Sequence, residues 1–278
     1  MVVYVVRWKF FRYFLYFCKM RNSRNRVPFL ICFILFFTHT FAYETIERHT
    51  FEATDFTTRV GFDVKRELYK NFTLTWFEEC RFKSFSSRFD RLYSMLSFNY
   101  AVNKYFKTSI GYTYILVYNE NTSLGHRHRL NVDLLGSYAV GRWSFSLRER
   151  PELSIRMGAF DALTLTNPSW DLRSRLSVEY AARRAPLKPY LAFELFNTLN
   201  APKLAKGNYL NRIRSEAGLK WNIVERHTMT LYYRFDVENT RNITIDYNDA
   251  GNEINSVLLD YIRRYKHILG IAYTFDWK

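Results

Sequence analysis

The stretch GHRHRLNVDLLGSYAVGRWSFSLRER (residues 125–150) decides the fold class. Apolar residues occupy every second position of 130–134 and of 143–147, and polar residues fill the positions between them. A short link at Gly141 separates the two segments. Successive side chains of a β-strand point to opposite faces of the sheet, so each segment is predicted to be a strand with one apolar and one polar face. The stretch therefore predicts an antiparallel β-hairpin.

The same alternation continues along the chain from about residue 57. Most alternating segments are roughly 10–14 residues long, which suits the about 9–11 residues that a tilted strand needs to cross a bilayer. The links between them alternate in length, with short links at 68–70, 103–104, 141, 182–187 and 223–226 and longer ones at 83–89, 119–125, 157–169, 200–208 and 240–263. Short periplasmic turns and longer extracellular loops are typical of outer-membrane barrels.

We therefore predict an all-β fold, a transmembrane antiparallel up-and-down β-barrel of about twelve strands, with ten as the next alternative. An even strand number with both termini on the periplasmic side requires a first strand near 44–52. A soluble β-sandwich or lipocalin-like barrel is the alternative, but it would have shorter strands. The composition, with 19% aromatic residues, excludes a disordered chain. No uncharged apolar run reaches the roughly 18 residues that mark a membrane-spanning helix.

Residues 1–42 have the composition of a leader with a signal peptide. The segment RNSRNR (21–26) carries three arginines, an apolar run of 11 residues follows, and small residues stand at the predicted cleavage site. A charged region, an apolar region and a cleavage site in this order are typical of secretory signals. We predict cleavage after about Ala42 and a barrel over residues 43–278, with a signal that begins at Met20 as the alternative start.

The C-terminal segment supports the prediction that the protein lies in the outer membrane. Its apolar side chains stand at five alternate positions, namely Leu269, Ile271, Tyr273, Phe275 and Trp277. Outer-membrane barrels typically end in such a strand, which the outer-membrane assembly machinery recognises. We therefore predict outer-membrane lipid, lipopolysaccharide and this machinery as partners. The formal charge of +15 does not predict nucleic acid, because seven of the positive charges lie in the leader and the others are spread over the strands.

The order of several motifs resembles a known family. The motifs are GFDVKREL (61–68), SIGYTY (109–114), GHRHRLNVDL (125–134), WSFSLRERPEL (143–153), LRSRL (172–176), KPYLAFELFN (188–197), NRIRSEAGLKW (211–221) and KHILGIAYTF (266–275). Together they resemble the bacterial outer-membrane barrels, common in Bacteroidetes, that are catalogued as domain of unknown function 2490. The resemblance covers nearly the whole chain after the leader. It implies an outer-membrane location and no established activity.

If the apolar faces point toward lipid, the polar faces bring arginines together in the lumen near its extracellular end. These arginines are Arg127, Arg129, Arg148, Arg150, Arg173, Arg175, Arg212 and Arg214, with Asp133, Glu179, Glu194, Glu216 and Asp236 as candidate acidic partners. Guanidinium is always charged and binds carboxylate or phosphate through two hydrogen bonds, so we predict a vestibule, and with it a pore or binding barrel, for small anionic solutes. The alternative is a structural or receptor barrel whose lumen the ion pairs plug. A lipid-modifying esterase is the third hypothesis, and it requires a Ser–His–acid cluster.

Other residues give weaker signals. His126 and His128 share one face of a strand, but two histidines without a further ligand predict an interfacial pair of rings more than a metal site. The loop DYNDAGNE (246–253) resembles a calcium loop, yet Ala250 stands where an oxygen ligand is expected. Cys80 is expected to pack on the outward face. We therefore predict no metal, no cofactor and no catalytic residue.

Overall fold

The fold is taken from a computed structural model of the 278-residue chain. It describes residues 44–51, 54–118, 124–157, 166–183, 185–201, 210–247 and 254–277. The predicted leader and most of the loop at 246–253 lie outside the described residues. Within the described ranges, no helix is both long enough and apolar enough to cross a membrane.

The described residues form β-strands joined by turns and loops. The strands are β1 (Glu44–Phe51), β2 (Asp55–Tyr69), β3 (Phe72–Lys83), β4 (Arg88–Ala101), β5 (Phe106–Val117), β6 (Gly125–Val140), β7 (Trp143–Met157), β8 (Ser169–Tyr180), β9 (Leu187–Thr198), β10 (Leu210–Val224), β11 (His227–Tyr247) and β12 (Ile254–Trp277). The predicted all-β fold class is confirmed.

The chain divides into two compact units. Of the described residues, those between 49 and 242 and between 261 and 277 belong to the larger unit, and residues 44–48, 243–247 and 254–260 belong to the smaller. In the smaller unit, Arg48 and Asp260 form an ion pair at 3.7 Å between Nε and Oδ1. Ile243 and Val257 are buried there.

The larger unit contains a closed barrel. From β2 to β12 each strand neighbours the next in one sheet, and the barrel closes where β12 pairs with β2. The closing pair is parallel, with Lys266 opposite Asp55 and Trp277 opposite Arg66. Strand β1 follows β12 in the strand order and is not part of the closed barrel. In the described residues the closed barrel thus consists of the eleven strands β2 to β12, antiparallel except at the closing pair, and the predicted number of about twelve strands is not confirmed.

The link lengths also differ from the prediction at one place. The segment 240–263 was expected to be the longest loop, but β11 continues to Tyr247 and β12 begins at Ile254. Ile243 and Ile245 alternate with polar residues and thus carry the strand pattern. The polar composition around them favoured a loop interpretation, although alternation is the signal that defines a strand.

The two faces of the barrel wall have opposite chemistry. On β6, Leu130 is 49% exposed whereas Asn131 beside it is 3% exposed. The buried positions of the larger unit carry mostly charged or polar side chains, and the exposed positions carry large apolar ones. We call the face with Asn131 the inner wall and the face with Leu130 the outer wall. This distribution is the inverse of a water-soluble domain, in which apolar side chains fill the interior.

Candidate functional site

The inner wall contains carboxylates that are each shared by several arginines. Glu194 on β9 is 1% exposed and accepts hydrogen bonds from three strands. Its oxygens lie 2.8 Å from Arg148 Nη2, 2.9 Å from Arg173 Nη2 and 3.3 Å from Arg214 Nη1. Arg214 also binds Asp236 with two hydrogen bonds of 2.7 and 2.8 Å. Buried charges persist when they are paired and hydrogen-bonded, as they are here.

A second shared carboxylate lies on β10. Glu216 accepts a hydrogen bond of 3.1 Å from Arg175 Nη2 and one of 2.5 Å from Arg234 Nε. The Tyr190 hydroxyl donates to the same carboxylate at 2.6 Å. Tyr190 reaches this position because its ring lies against Gly218, where a Cβ would come within 2.5 Å of the ring. The glycine therefore provides space for the tyrosine on the inner wall.

Two further carboxylates bind arginines of β6 to β8. Asp133 accepts a hydrogen bond of 2.7 Å from Arg150 Nη2. Glu152 lies 2.8 Å from Arg173 Nη1 and 3.6 Å from Arg129 Nη1. Of the predicted acidic residues, Glu179 differs from the others because it binds Lys220 rather than an arginine.

The sequence analysis missed an inner-wall cluster on β2 to β4. Glu79 accepts a hydrogen bond of 2.5 Å from Arg81 Nε and lies 3.9 Å from Arg59 Nη1. Arg81 also donates to the Tyr93 hydroxyl at 2.9 Å. Tyr232 on β11 lies over Gly270 of β12 and places its hydroxyl 3.5 Å from Glu79. Arg59 alternates with Val60 in the sequence, so its inward position could have been read from the pattern.

Glu152, Glu238 and Arg234 were also missed. Glu238 accepts a hydrogen bond of 2.5 Å from Arg212 Nη2. Glu238 is therefore the carboxylate partner of Arg212, one of the predicted arginines. The missed residues follow the same alternation as those that were predicted, for example Arg234 between Tyr233 and Phe235. Their partners could not be predicted, because alternation gives the face of a strand and not the contacts across neighbouring strands.

The strand register places arginines directly opposite one another. The opposed arginines are Arg148 and Arg175, Arg150 and Arg173, Arg127 and Arg156, and the series Arg59, Arg81 and Arg91. Like charges directly opposite each other on neighbouring strands destabilise a sheet. Carboxylates offset this repulsion in two of the pairs, because Arg148 and Arg175 bind Glu194 and Glu216, and Arg150 and Arg173 bind Asp133 and Glu152. In the part of the chain that the structure describes, neither Arg127 nor Arg156 forms an ion pair with a carboxylate.

One aromatic ring collects three of the guanidinium groups. Arg173, Arg212 and Arg214 lie over the Phe196 ring at 4.6, 5.1 and 4.9 Å from its centroid. A guanidinium within about 6 Å of a ring centroid is attracted to the face of the ring. The inner wall therefore has a dense charged region around Phe196 and Glu194.

The histidines have tyrosine partners. Nδ1 of His128 is hydrogen-bonded to the Tyr112 hydroxyl at 2.6 Å, and Nδ1 of His126 to the Tyr114 hydroxyl at 2.5 Å. Across the described ranges, no group of three or more His, Cys, Asp and Glu residues could hold a metal ion. Cys80 is half-buried and its thiol is free. These two hydrogen bonds give Nδ1 of each ring a partner on the neighbouring strand β5.

These features define a β-barrel with an arginine-rich inner wall. Residues 60–247 match the model of a family described as protein of unknown function (DUF2490), and the chain belongs to that family. No curated protein matches the chain. Among solved structures, a NanC porin is similar over 66% of this chain and 87% of its own length, with 13% sequence identity and a TM-score of 0.39. The predicted family is confirmed.

Proposed function

We propose that this protein is exported to the bacterial outer membrane and that its barrel admits small anionic solutes. The exposed apolar outer wall supports the membrane part of the proposal. Four leucines on four different strands are each more than half-exposed, namely Leu147, Leu176, Leu191 and Leu231. Monomeric soluble proteins rarely expose so extended an apolar surface, whereas a membrane barrel turns such a surface toward lipid.

Aromatic pairs near the short turns also support a membrane location. The ring centroids of Phe72 and Tyr100 are 4.6 Å apart, and those of Trp143 and Tyr180 are 4.8 Å apart. Both pairs stand where strands meet short turns, at the same end of the up-and-down barrel. Outer-membrane barrels carry girdles of aromatic residues at the membrane interfaces. We assign the short-turn end to the periplasm and the long-loop end to the cell exterior.

The opposed arginines carry the proposal of an anion pathway. A wall built only for stability would place opposite charges across neighbouring strands, because like charges in register are unfavourable. Opposite charges do face each other across β8 to β11, but four other pairs of neighbouring strands, from β2 to β4 and from β6 to β8, place arginine opposite arginine. One carboxylate, Glu194, serves three arginines. The described inner wall therefore has more guanidinium groups than carboxylates to balance them. A surface of one sign in a cleft raises the local concentration of ions of the other sign.

Single-channel recording of the refolded protein in a planar bilayer tests the proposal. We expect steady conductance and, in a salt gradient, a reversal potential that indicates anion preference. The double variant Arg148→Gln/Arg150→Gln should reduce this preference. A matched control is Arg142→Gln/Lys104→Gln, which removes the same charge from two exposed turn residues and should change the preference less. Absence of conductance from a correctly folded, heat-modifiable barrel would refute the pore.

A plugged barrel is the second candidate function, and the cluster around Phe196 favours it. Three guanidinium groups over one ring, two of them bound to the buried Glu194, fill part of the interior with fixed side chains. Barrels of modest size often fill their interiors with side chains. In that case the exterior loops would perform the function, and the same recording would show no conductance in the wild type.

A further inference from the structure

The opposed pair Arg127 and Arg156 differs from the other arginine pairs. The register of β6 and β7 places the two residues directly opposite each other near the long-loop end, and directly opposed Cβ atoms are about 4.5–5.5 Å apart. The next pairs along β7 have Asp133, Glu152, Glu194 or Glu216 as hydrogen-bond acceptors. For Arg127 and Arg156, no carboxylate among the described residues takes this role. Within the described chain, neither guanidinium group is therefore neutralised by an ion pair with a carboxylate.

Contacts with the residues that precede β8 position Arg156. Its Nη1 donates to the Thr166 carbonyl at 2.9 Å, and its backbone N–H donates to Asn167 Oδ1 at 2.9 Å. The Asn167 amide donates back to the Arg156 carbonyl at 2.8 Å. The buried Nε of Arg156 has no acceptor among the described residues. An unsatisfied buried donor is unfavourable, and a bound acceptor would remove this cost.

An apolar cluster lies beside the pair. Ile115 on β5 stands directly opposite Arg127 and is 1% exposed. Together with Tyr93 and Val117 it forms a buried apolar cluster on the inner wall. Charge-assisted hydrogen bonds are stronger where apolar groups exclude water and lower the local dielectric constant. An anion held by Arg127 would therefore be bound more tightly than at an exposed arginine.

We propose that Arg127 and Arg156 form a binding site for a phosphate-type oxyanion. The forked guanidinium of Arg127 would supply two N–H donors and Nε of Arg156 a third. The donors come from two strands, and a tetrahedral oxyanion presents oxygens in several directions, whereas a carboxylate presents two oxygens in one plane. The site lies on the inner wall, so a soluble solute supplies the anion and a lipid headgroup outside the barrel does not. This inference rests on the proposed function, because the site is the place where an anion would first bind as it enters the barrel.

Isothermal titration calorimetry of the refolded barrel in detergent micelles, with inorganic phosphate in a chloride buffer, tests the site. We expect saturable binding to the wild type and to the exposed-turn control Arg142→Gln. Arg127→Gln should weaken binding about tenfold or more, because charge-assisted hydrogen bonds are lost. Arg127→Lys keeps the charge without the fork and should also bind more weakly. Acetate should bind more weakly than phosphate.

Each of several results would overturn the site. These are no saturable phosphate binding to a folded wild type, an unchanged affinity in Arg127→Gln, full affinity in Arg127→Lys, or equal affinity for acetate and phosphate. Circular dichroism and heat-modifiable migration on gels establish that each variant is folded. Binding without conductance would refute the proposed pore and leave the site intact. Anion-selective conductance without phosphate binding would refute the site and leave the proposed pore intact.

Discussion

Replacement of Glu194 by glutamine should lower stability and increase anion preference at the same time. Glu194 is the acceptor for Arg148, Arg173 and Arg214. Removal of one partner from a buried ion pair costs about 3–5 kcal/mol, because it leaves an uncompensated buried charge. Arg173 still has Glu152 as a partner and Arg214 still has Asp236, so only Arg148 loses its carboxylate. We therefore expect a loss near the lower limit, about 3 kcal/mol.

The effect on selectivity has the opposite direction to the effect on stability. Glu194→Gln removes one negative charge from the inner wall. The surrounding arginines stay charged, because a guanidinium group does not deprotonate near neutral pH. The local potential becomes more positive, and a more positive lumen concentrates anions more strongly. The ratio of anion to cation permeability should therefore increase relative to the wild type.

The control for this prediction is Glu179→Gln. Glu179 binds Lys220, whose side chain is 41% exposed, and exposed ion pairs contribute roughly 0.2–1 kcal/mol. The assay is urea unfolding of the barrel refolded in phospholipid vesicles, followed by tryptophan fluorescence, with selectivity recorded in planar bilayers. Equal losses of unfolding free energy in the two variants would show that Glu194 is not a shared buried acceptor. A decrease in anion preference in Glu194→Gln would refute the electrostatic argument.

Two further predictions concern packing and polar contacts. A Cβ at Gly270 would lie 2.0 Å from the Tyr232 ring, so Gly270→Ala should lower the unfolding free energy by about 1–3 kcal/mol, whereas Gly136→Ala, with no atom closer than 4.0 Å, should change it less. A loss in Gly136→Ala as large as in Gly270→Ala would contradict the packing argument. Tyr112→Phe should destabilise the barrel by about 1 kcal/mol, because the His128 ring nitrogen loses its partner on the outer wall. An unchanged urea midpoint would contradict this.

Alternation predicted the faces of the strands because burial in this barrel follows it closely. Leu130 and Asn131 are neighbours in sequence, yet one is exposed and the other buried, as expected for opposite faces of one strand. The closing pair was not predicted, since the pattern of β2 is the same whether its neighbour is β1 or β12. The acceptor for Arg212 was not predicted either. Glu238 lies directly opposite it only because of the register between β10 and β11, which alternation does not define.

The sharing of carboxylates on the inner wall bears on the proposed anion pathway. Neutral pairs can satisfy inner-wall polar groups without any charge, as Ser146 and Ser177 do with a hydrogen bond of 2.6 Å. Buried ion pairs often contribute little net stability, since the cost of removing charges from water is large. Arg150 and Arg148, which lie opposite Arg173 and Arg175, need the carboxylates of Asp133 and Glu194 beside them, and an uncharged wall would avoid the cost of removing all these charges from water. A pathway for anions gives a physical reason for that cost, and stability alone does not.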